Sequence, residues 1–574
     1  MGSDKDGIGL PGDATPANST GTISRPAGRT VWLLLLILVL GVGLQAVRIS
    51  QVVSKNGDVP FLSANDRSRW CTISALCTNG SYLVDDLIFS DEPSNGQKRK
   101  RTNWYTIDLV RHRASDGQLH YYSSKPPLLP TLYAGVYCTL RSLTSWTLQD
   151  RPFLVARTIL LVVNLLPWAL FSGAFLLWLR RRNLSSEDQE SISLRASSRG
   201  TARTSTWASI VLASMLAFGT FLSTFCNTLN NHLPAAMAVG VSLWCLDRIL
   251  LREDRRWQWF LLCGLCTSFG AANELPALAW VAAAGAMLLL VSPVKFALGY
   301  VPALLPVAVA FFGLNYLAHE EWKPAYAHRD AGKLLFVFDF DAEQSFISTE
   351  SITAKLEGEG IQCSDSCEIR QARRELTYEF LDPESAMQYA LIIDVESSEI
   401  AVHEWGDWYD YPGSYWAGEK QGVDKGEPSR GLYILHSLIG HHGILSLTPF
   451  WLISLFGAWI VVRTSSTLNF LRDHRLMLVL AILATSTVVI GFYFARGIED
   501  RNYGGVTSGF RWTFWLIPFW CWLASIGLPS VRSSLGRRLV EVTVLLSVFS
   551  AMYPWKNPWT TPWPMQLMEY AGWL

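Results

Sequence analysis

Charge is what this sequence has little of. Charged residues fill 17% of its 574 positions, against about a quarter in an ordinary soluble domain, and the formal net charge is zero. A balanced chain supplies no global field of the kind that gathers nucleic acid, so no nucleic-acid partner is expected. Metal-site spacing is missing as well. Cys138, Cys226, Cys245, Cys263, Cys266 and Cys521 lie in or beside apolar runs, where cysteine acts as a small hydrophobe. CSDSC at 363–367 has no second ligand pair to complete a zinc site. Cys71 with Cys77, and Cys363 with Cys367, fall in polar segments; either pair could form a short disulfide in an oxidising compartment. No internal repeat is present.

Long apolar runs stand in place of charge. Runs of about sixteen to twenty residues recur and predict bilayer-spanning helices. Residues 1–30, rich in Gly, Ser, Thr, Pro and Asp, read as a disordered cytoplasmic tail. Spans are then predicted near 31–47, 157–178, 207–225, 233–250, 257–272, 275–291, 296–317, 443–462, 476–494, 512–528 and 540–552. Arginines cluster at 180–182, 252–256, 463–475 and 532–538, all on one side of this pattern, which makes that side cytoplasmic. The expectation is an all-α polytopic membrane protein of about eleven transmembrane helices.

Four parts follow: the tail; a transmembrane module over 31–318 that includes a large outer loop at 48–150; an outer segment at 319–442; and the last helices with a Trp- and Pro-rich outer tail at 443–574. The outer segment mixes strand-like 334–340 and 390–395 with a helix-compatible stretch at 370–380, hence an α+β expectation. The run 125–140 opens with two prolines and carries Tyr133 and Tyr137, which suits an interfacial or re-entrant helix.

Two stretches of the outer loop could carry chemistry, NDRSRW at 65–70 and YYSSKPPLLP at 121–130. Asp66 either caps a short helix lying on the membrane or offers a carboxylate at the outer face. Lys125 is stiffened by Pro126 and Pro127; it either snorkels at the interface or pairs with a lipid-linked phosphate as a point charge. In WGDWYDYPGSYW at 405–416, Trp405 and Tyr411 read as a sugar-stacking surface or as interfacial anchors. His441 and His442, beside His436, read as acceptor or metal contacts or as interfacial hydrogen-bonding groups. NYGG at 502–505 with Gly509 and Arg511 reads as a tight turn or a phosphate-approach loop.

Taken in order, NDRSRWCTISALCTNGSYLV, SSKPPLLP, RPFLVAR at 151–157 and GGVTSGFRW at 504–512 resemble the motifs of the GT-C glycosyltransferases. The likeness is strongest to the branch of protein O-mannosyltransferases and lipid A aminoarabinose transferases, and it covers most of 31–530. It implies a GT-C-like fold in a multi-pass protein of the bacterial inner membrane, with an extracytoplasmic active site. The implied reaction is inverting transfer of a sugar from a polyprenyl-phosphate donor to an acceptor. By the same resemblance Asp66 corresponds to the catalytic base, Lys125 to a donor-phosphate ligand and Arg511 to a further phosphate contact. The sequence departs from the family at Arg67, where an acid is usual, and at 273–274, where Asn and Glu replace a Lys-Gly-Pro turn. Asn227, Asn230, Asn231 and His232 stand where relatives carry a carboxylate. Asn231, His232 and Glu274 therefore join the acceptor-side candidates, and a divalent cation is left open with no metal ligand assigned. The rival readings are a multi-span transporter or flippase and a non-catalytic receptor that uses segment 320–440.

Overall fold

The computed structural model describes residues 25–93, 99–193, 198–339, 348–465 and 471–573. Most of the tail expected at 1–30 lies outside these residues. Among the described residues, seven helices are long and apolar enough to cross a membrane: Thr30–Ser50, Pro152–Arg181, Thr206–Asn227, His232–Leu251, Pro293–His319, His474–Ala495 and Arg511–Ser530. The chain is a helical membrane protein on that basis. The other four predicted spans are helical but do not meet the same measure. Trp257–Asn273 has 17 residues and Trp451–Thr464 only 14, short of the roughly 20 that cross a hydrocarbon core. Leu275–Val291 is likewise a shorter apolar helix, and Ser534–Met552 carries Arg537, Arg538 and Glu541 in its first turns. The run predicted from 443 starts its main helix late because Pro449 follows the short turn Ile444–Leu447 and cannot donate a backbone hydrogen bond.

Burial sorts the helices into layers. Thr206–Asn227 and Arg511–Ser530 are each 83% buried over their apolar window, whereas Thr30–Ser50 and Pro293–His319 are 17% buried. The latter two leave Leu36, Leu40, Leu305 and Val309 exposed, apolar faces suited to lipid. In the inner layer, glycine lets backbones approach. A Cβ on Gly457 would run into the Leu523 carbonyl, and one on Gly527 would lie 2.6 Å from the Ile453 carbonyl, so the helices Trp451–Thr464 and Ile517–Gly527 meet main chain to main chain.

Both large polar segments pack on one end of the bundle. In the first, Ser63 caps the helix Ala64–Asn79, which ends at Gly80 with φ 63°. The hairpin Leu109–Arg113 with Leu119–Ser123 follows, then the helix Leu128–Thr144, entered through Pro127. In the second, strands Leu334–Asp339, Glu399–Glu404, Met387–Asp394, Thr377–Asp382 and Glu368–Gln371 form an antiparallel sheet in that spatial order. The helix Thr349–Gly358 supplies Ile352 and Leu356 to its core. The stretch 370–380, read as helix-compatible, instead makes two paired strands: Arg370 lies opposite Glu379, and the two side chains form an ion pair that favours the ladder. The segments are joined where Arg111 N–H donates to the Trp408 carbonyl at 2.9 Å and Trp416 Nε1 to the Ile107 carbonyl at 2.9 Å.

All ten cysteines are free. The Cys71–Cys77 disulfide is ruled out by geometry, because both lie on Ala64–Asn79 and six helical residues turn them to different flanks. Cys77 instead meets Cys138 on the neighbouring helix. Cys363 and Cys367 do contact each other, as thiols.

Candidate functional site

Asp66 occupies the first turn of Ala64–Asn79 and is 1% exposed. Its backbone N–H donates to the Ser63 hydroxyl at 3.1 Å. One carboxylate oxygen accepts from Leu62 N–H at 2.9 Å, and the other from Leu229 N–H at 3.0 Å. The Thr228 hydroxyl bonds to the same carboxylate and accepts from Trp559 Nε1 at 3.0 Å. Burial outweighs these donors and raises the Asp66 pKa to about 6. The helix-cap reading fails, because Ser63 is the N-cap and Asp66 sits inside the first turn; its carboxylate instead latches the loop at 228–231 to the outer helix.

One turn on, Arg69 is buried on the same helix. It donates to the Asn65 carbonyl at 3.1 Å and reaches Asn231 Oδ1 at 2.9 Å. The Asn231 amide in turn donates to Glu274 Oε1 at 2.6 Å and to the Asn273 carbonyl at 2.9 Å. His232 Nδ1 contacts the same Glu274 oxygen, while His232 Nε2 is buried without a hydrogen-bond partner. The three acceptor-side candidates Asn231, His232 and Glu274 therefore form one network, joined to Asp66 through Arg69 and the 228–231 loop.

Lys125 sits between the hairpin and Pro127, with its N–H donating to Ser123 Oγ at 3.2 Å. Ser123 Oγ is 2.6 Å from Ser68 Oγ on the Asp66 helix, so the turn is fixed against that helix. The ammonium pairs with Asp108 at 3.1 Å. Burial lowers its pKa to about 8, with Arg69 and Arg511 acting in the same direction and Asp108 opposing. Arg511 emerges from the loop where Gly504 and Gly505 hold positive φ. A side chain on Gly504 would strike Arg511 Nε at 2.7 Å, and the Gly504 carbonyl accepts from Arg511. The guanidinium covers the Trp559 ring at 4.5 Å, and its buried Nε has no hydrogen-bond partner among the described residues. Arg511 interacts electrostatically with Glu274, Arg69 and Asp108. Three cations and three carboxylates thus share one buried region.

The remaining candidates lie elsewhere. Trp405 lines a shallow crevice of the sheet domain with Arg329, Arg374 and Asp407. Tyr411 is 2% exposed and meets Tyr121 edge-on at 5.3 Å, so its face is not open for a sugar. His442 stacks on Tyr503 at 3.9 Å and His441 on His436 at 3.9 Å. These histidines buttress the 502–511 loop from behind, since Arg511 N–H donates to the Tyr503 carbonyl at 3.2 Å. Burial holds the His441 pKa down at about 4 and His442 well below its usual value, so both are neutral rings.

The donor set does not fit a divalent cation. Both Asp66 oxygens are taken by amides, Glu274 Oε1 is shared by Asn231 and His232, and Arg69 and Arg511 stand alongside. Among the described residues no group of three potential ligands is placed to hold a metal.

Sequence reasoning missed Arg69, Asp108 and Trp559. Arg69 had a local signal, its place three residues after Asp66 on one helical face. Trp559 had none: the C-terminal tail reaches the site because Arg48 donates to the carbonyls of Trp555, Pro554, Ser223 and Thr224 at 2.9, 3.2, 3.2 and 3.0 Å, and Asn557 Nδ2 donates to the Leu62 carbonyl at 3.1 Å. Compared with models of known protein families and with curated proteins, the chain matches none.

Proposed function

We propose that this membrane protein is a GT-C-type glycosyltransferase that moves a sugar from a polyprenyl-phosphate donor to an acceptor at the extracytoplasmic face, with inversion. One observation carries the reading: Lys125, Arg69 and Arg511 converge on a buried region that also holds Asp66 and Glu274. The acceptor hydroxyl attacks the anomeric carbon as the sugar–phosphate bond breaks. Its proton passes to a carboxylate, and the departing polyprenyl phosphate takes up the negative charge. Fixed cations at that phosphate stabilise charge that grows in the transition state. A carboxylate with pKa near 6, such as Asp66, is basic enough to accept a proton and still ionised at neutral pH.

A second assignment of the base rests on a specific observation. Asp66 already accepts three hydrogen bonds of about four a carboxylate can take, whereas Glu274 abuts His232 as an acid–base pair. In that version Asp66 positions the loop and Glu274 takes the proton. Purified wild type, Asp66→Asn and Glu274→Gln are to be assayed with polyprenyl-phosphate sugars and a panel of acceptors. The base is the residue whose substitution lowers kcat by about 100-fold or more with KM little changed. Wild-type protein that transfers none of the sugars would remove the proposal, as would two variants of undiminished kcat.

A further inference from the structure

A groove of about 800 Å³ runs between the helices Pro152–Arg181, His232–Leu251 and Trp257–Asn273, apart from the cluster around Asp66. Its walls are apolar, with Phe171, Met237 and Trp244 among them. At its far end stand Arg181, Arg248 and Arg252, and among the described residues no carboxylate lines it. From Pro167 to Arg181 the groove follows fourteen residues of one helix, a length of about 21 Å. Half a hydrocarbon core is about 15 Å. The groove is thus long enough to hold a whole acyl chain.

Arg248 and Arg252 keep donors beyond those their acids take. Arg248 pairs with Asp254 at 3.1 Å and Arg252 with Asp247 at 3.2 Å, but a guanidinium has five N–H donors. Among the described residues, the buried Arg248 Nε has no hydrogen-bond partner. The groove depth is set by Gly240, where a Cβ would lie 2.5 Å from the Phe171 ring.

From these features we infer that the groove is a binding site for an anionic glycerophospholipid of the leaflet at the basic end of the bundle. The acyl chain lies along Phe171, Met237 and Trp244, and the phosphate and anionic headgroup sit on Arg248 and Arg252. Apolar walls alone would take any lipid tail. The cationic end selects a negative headgroup, as basic pockets between membrane helices do. This inference requires only the membrane reading and is independent of the proposed transferase activity.

The test uses the full chain, purified in mild detergent and offered phosphatidylglycerol and phosphatidylcholine of identical acyl chains, with retained lipid counted by native mass spectrometry. Phosphatidylglycerol should be retained at about one per chain and preferred by about tenfold or more. Arg248→Gln with Arg252→Gln should abolish the preference while leaving some retention of both lipids. Val241→Trp, which keeps every charge and fills the groove, should reduce retention of both. Size-exclusion profiles confirm folding; should the double variant fail to fold, the Val241→Trp result and the wild-type preference decide. Equal retention of the two lipids by wild type would overturn the inference. So would a preference untouched by both variants, or recovery of a polyprenyl lipid in place of phospholipid.

Discussion

At the scale of single residues, Asp66 is a buried carboxylate that ties folding to the proposed chemistry. Its ionised form holds the amides of Leu62 and Leu229, so Asp66→Asn puts an NH2 donor against a backbone N–H. The expected cost is about 1–3 kcal/mol, read as a lowered melting temperature of the purified protein. The pH dependence has a defined sign. A folded pKa near 6 lies above the ordinary 3.8, so the folded state binds the proton more tightly than the unfolded chain. The stability from this group is full below about pH 4 and is lost as pH rises through 6, by about 3 kcal/mol. Asp66→Asn should flatten that part of the stability–pH curve. In the proposed reaction Lys125 sets a second limit, because its pKa near 8 means that its charge disappears in mild alkali. If Asp66 is the base, kcat/KM should rise through about pH 6 and fall through about pH 8. Lys125→Arg, a cation that does not deprotonate in this range, should move the alkaline limb upward. A profile flat from pH 5 to 9 would contradict both roles.

Elements are governed by packing. The helices Trp451–Thr464 and Ile517–Gly527 touch through Gly457 and Gly527, and no side-chain rotation can make room where the obstacle is a carbonyl. Gly457→Val should cost at least about 1–3 kcal/mol and lower the melting temperature or the yield of monodisperse protein. Gly491→Ala, where an added Cβ meets nothing within 4 Å, should be neutral or stabilise the helix by about 0.5–1 kcal/mol. The sequence revealed elements of this kind unevenly. Apolar runs such as 476–494 announced a helix because length and hydropathy are local properties. The strands at 368–382 were hidden because charged residues there pair across a ladder rather than along a helix. Nothing local separated Gly457, which is packed on backbone, from Gly491, which is not.

For the whole molecule, the candidate site is assembled from the first polar segment, the loops at 228–232 and 273–274, the loop at 502–511 and the C-terminal tail. Asp66 and Lys125 stood out in the sequence because each lies in a distinctive local motif. Asp108, Arg48 and Trp559 did not, since their roles arise from contacts with residues hundreds of positions away or across a hairpin. The topology is checked by thiol labelling with a membrane-impermeant reagent in intact cells. Ser397→Cys in the sheet domain should label from outside, and Arg255→Cys at the opposite, basic end only after permeabilisation. Labelling of both from one side would contradict the arrangement.

The most direct measurement is the affinity of the purified, full-length chain for a polyprenyl phosphate, compared among wild type, Lys125→Gln, Arg69→Gln and Arg374→Gln. Arg374 lies on the sheet domain and is exposed. Loss of either clustered cation should weaken binding by about tenfold or more, while Arg374→Gln leaves it unchanged. Equal affinity in all four proteins would show that these cations do not hold a lipid-linked phosphate.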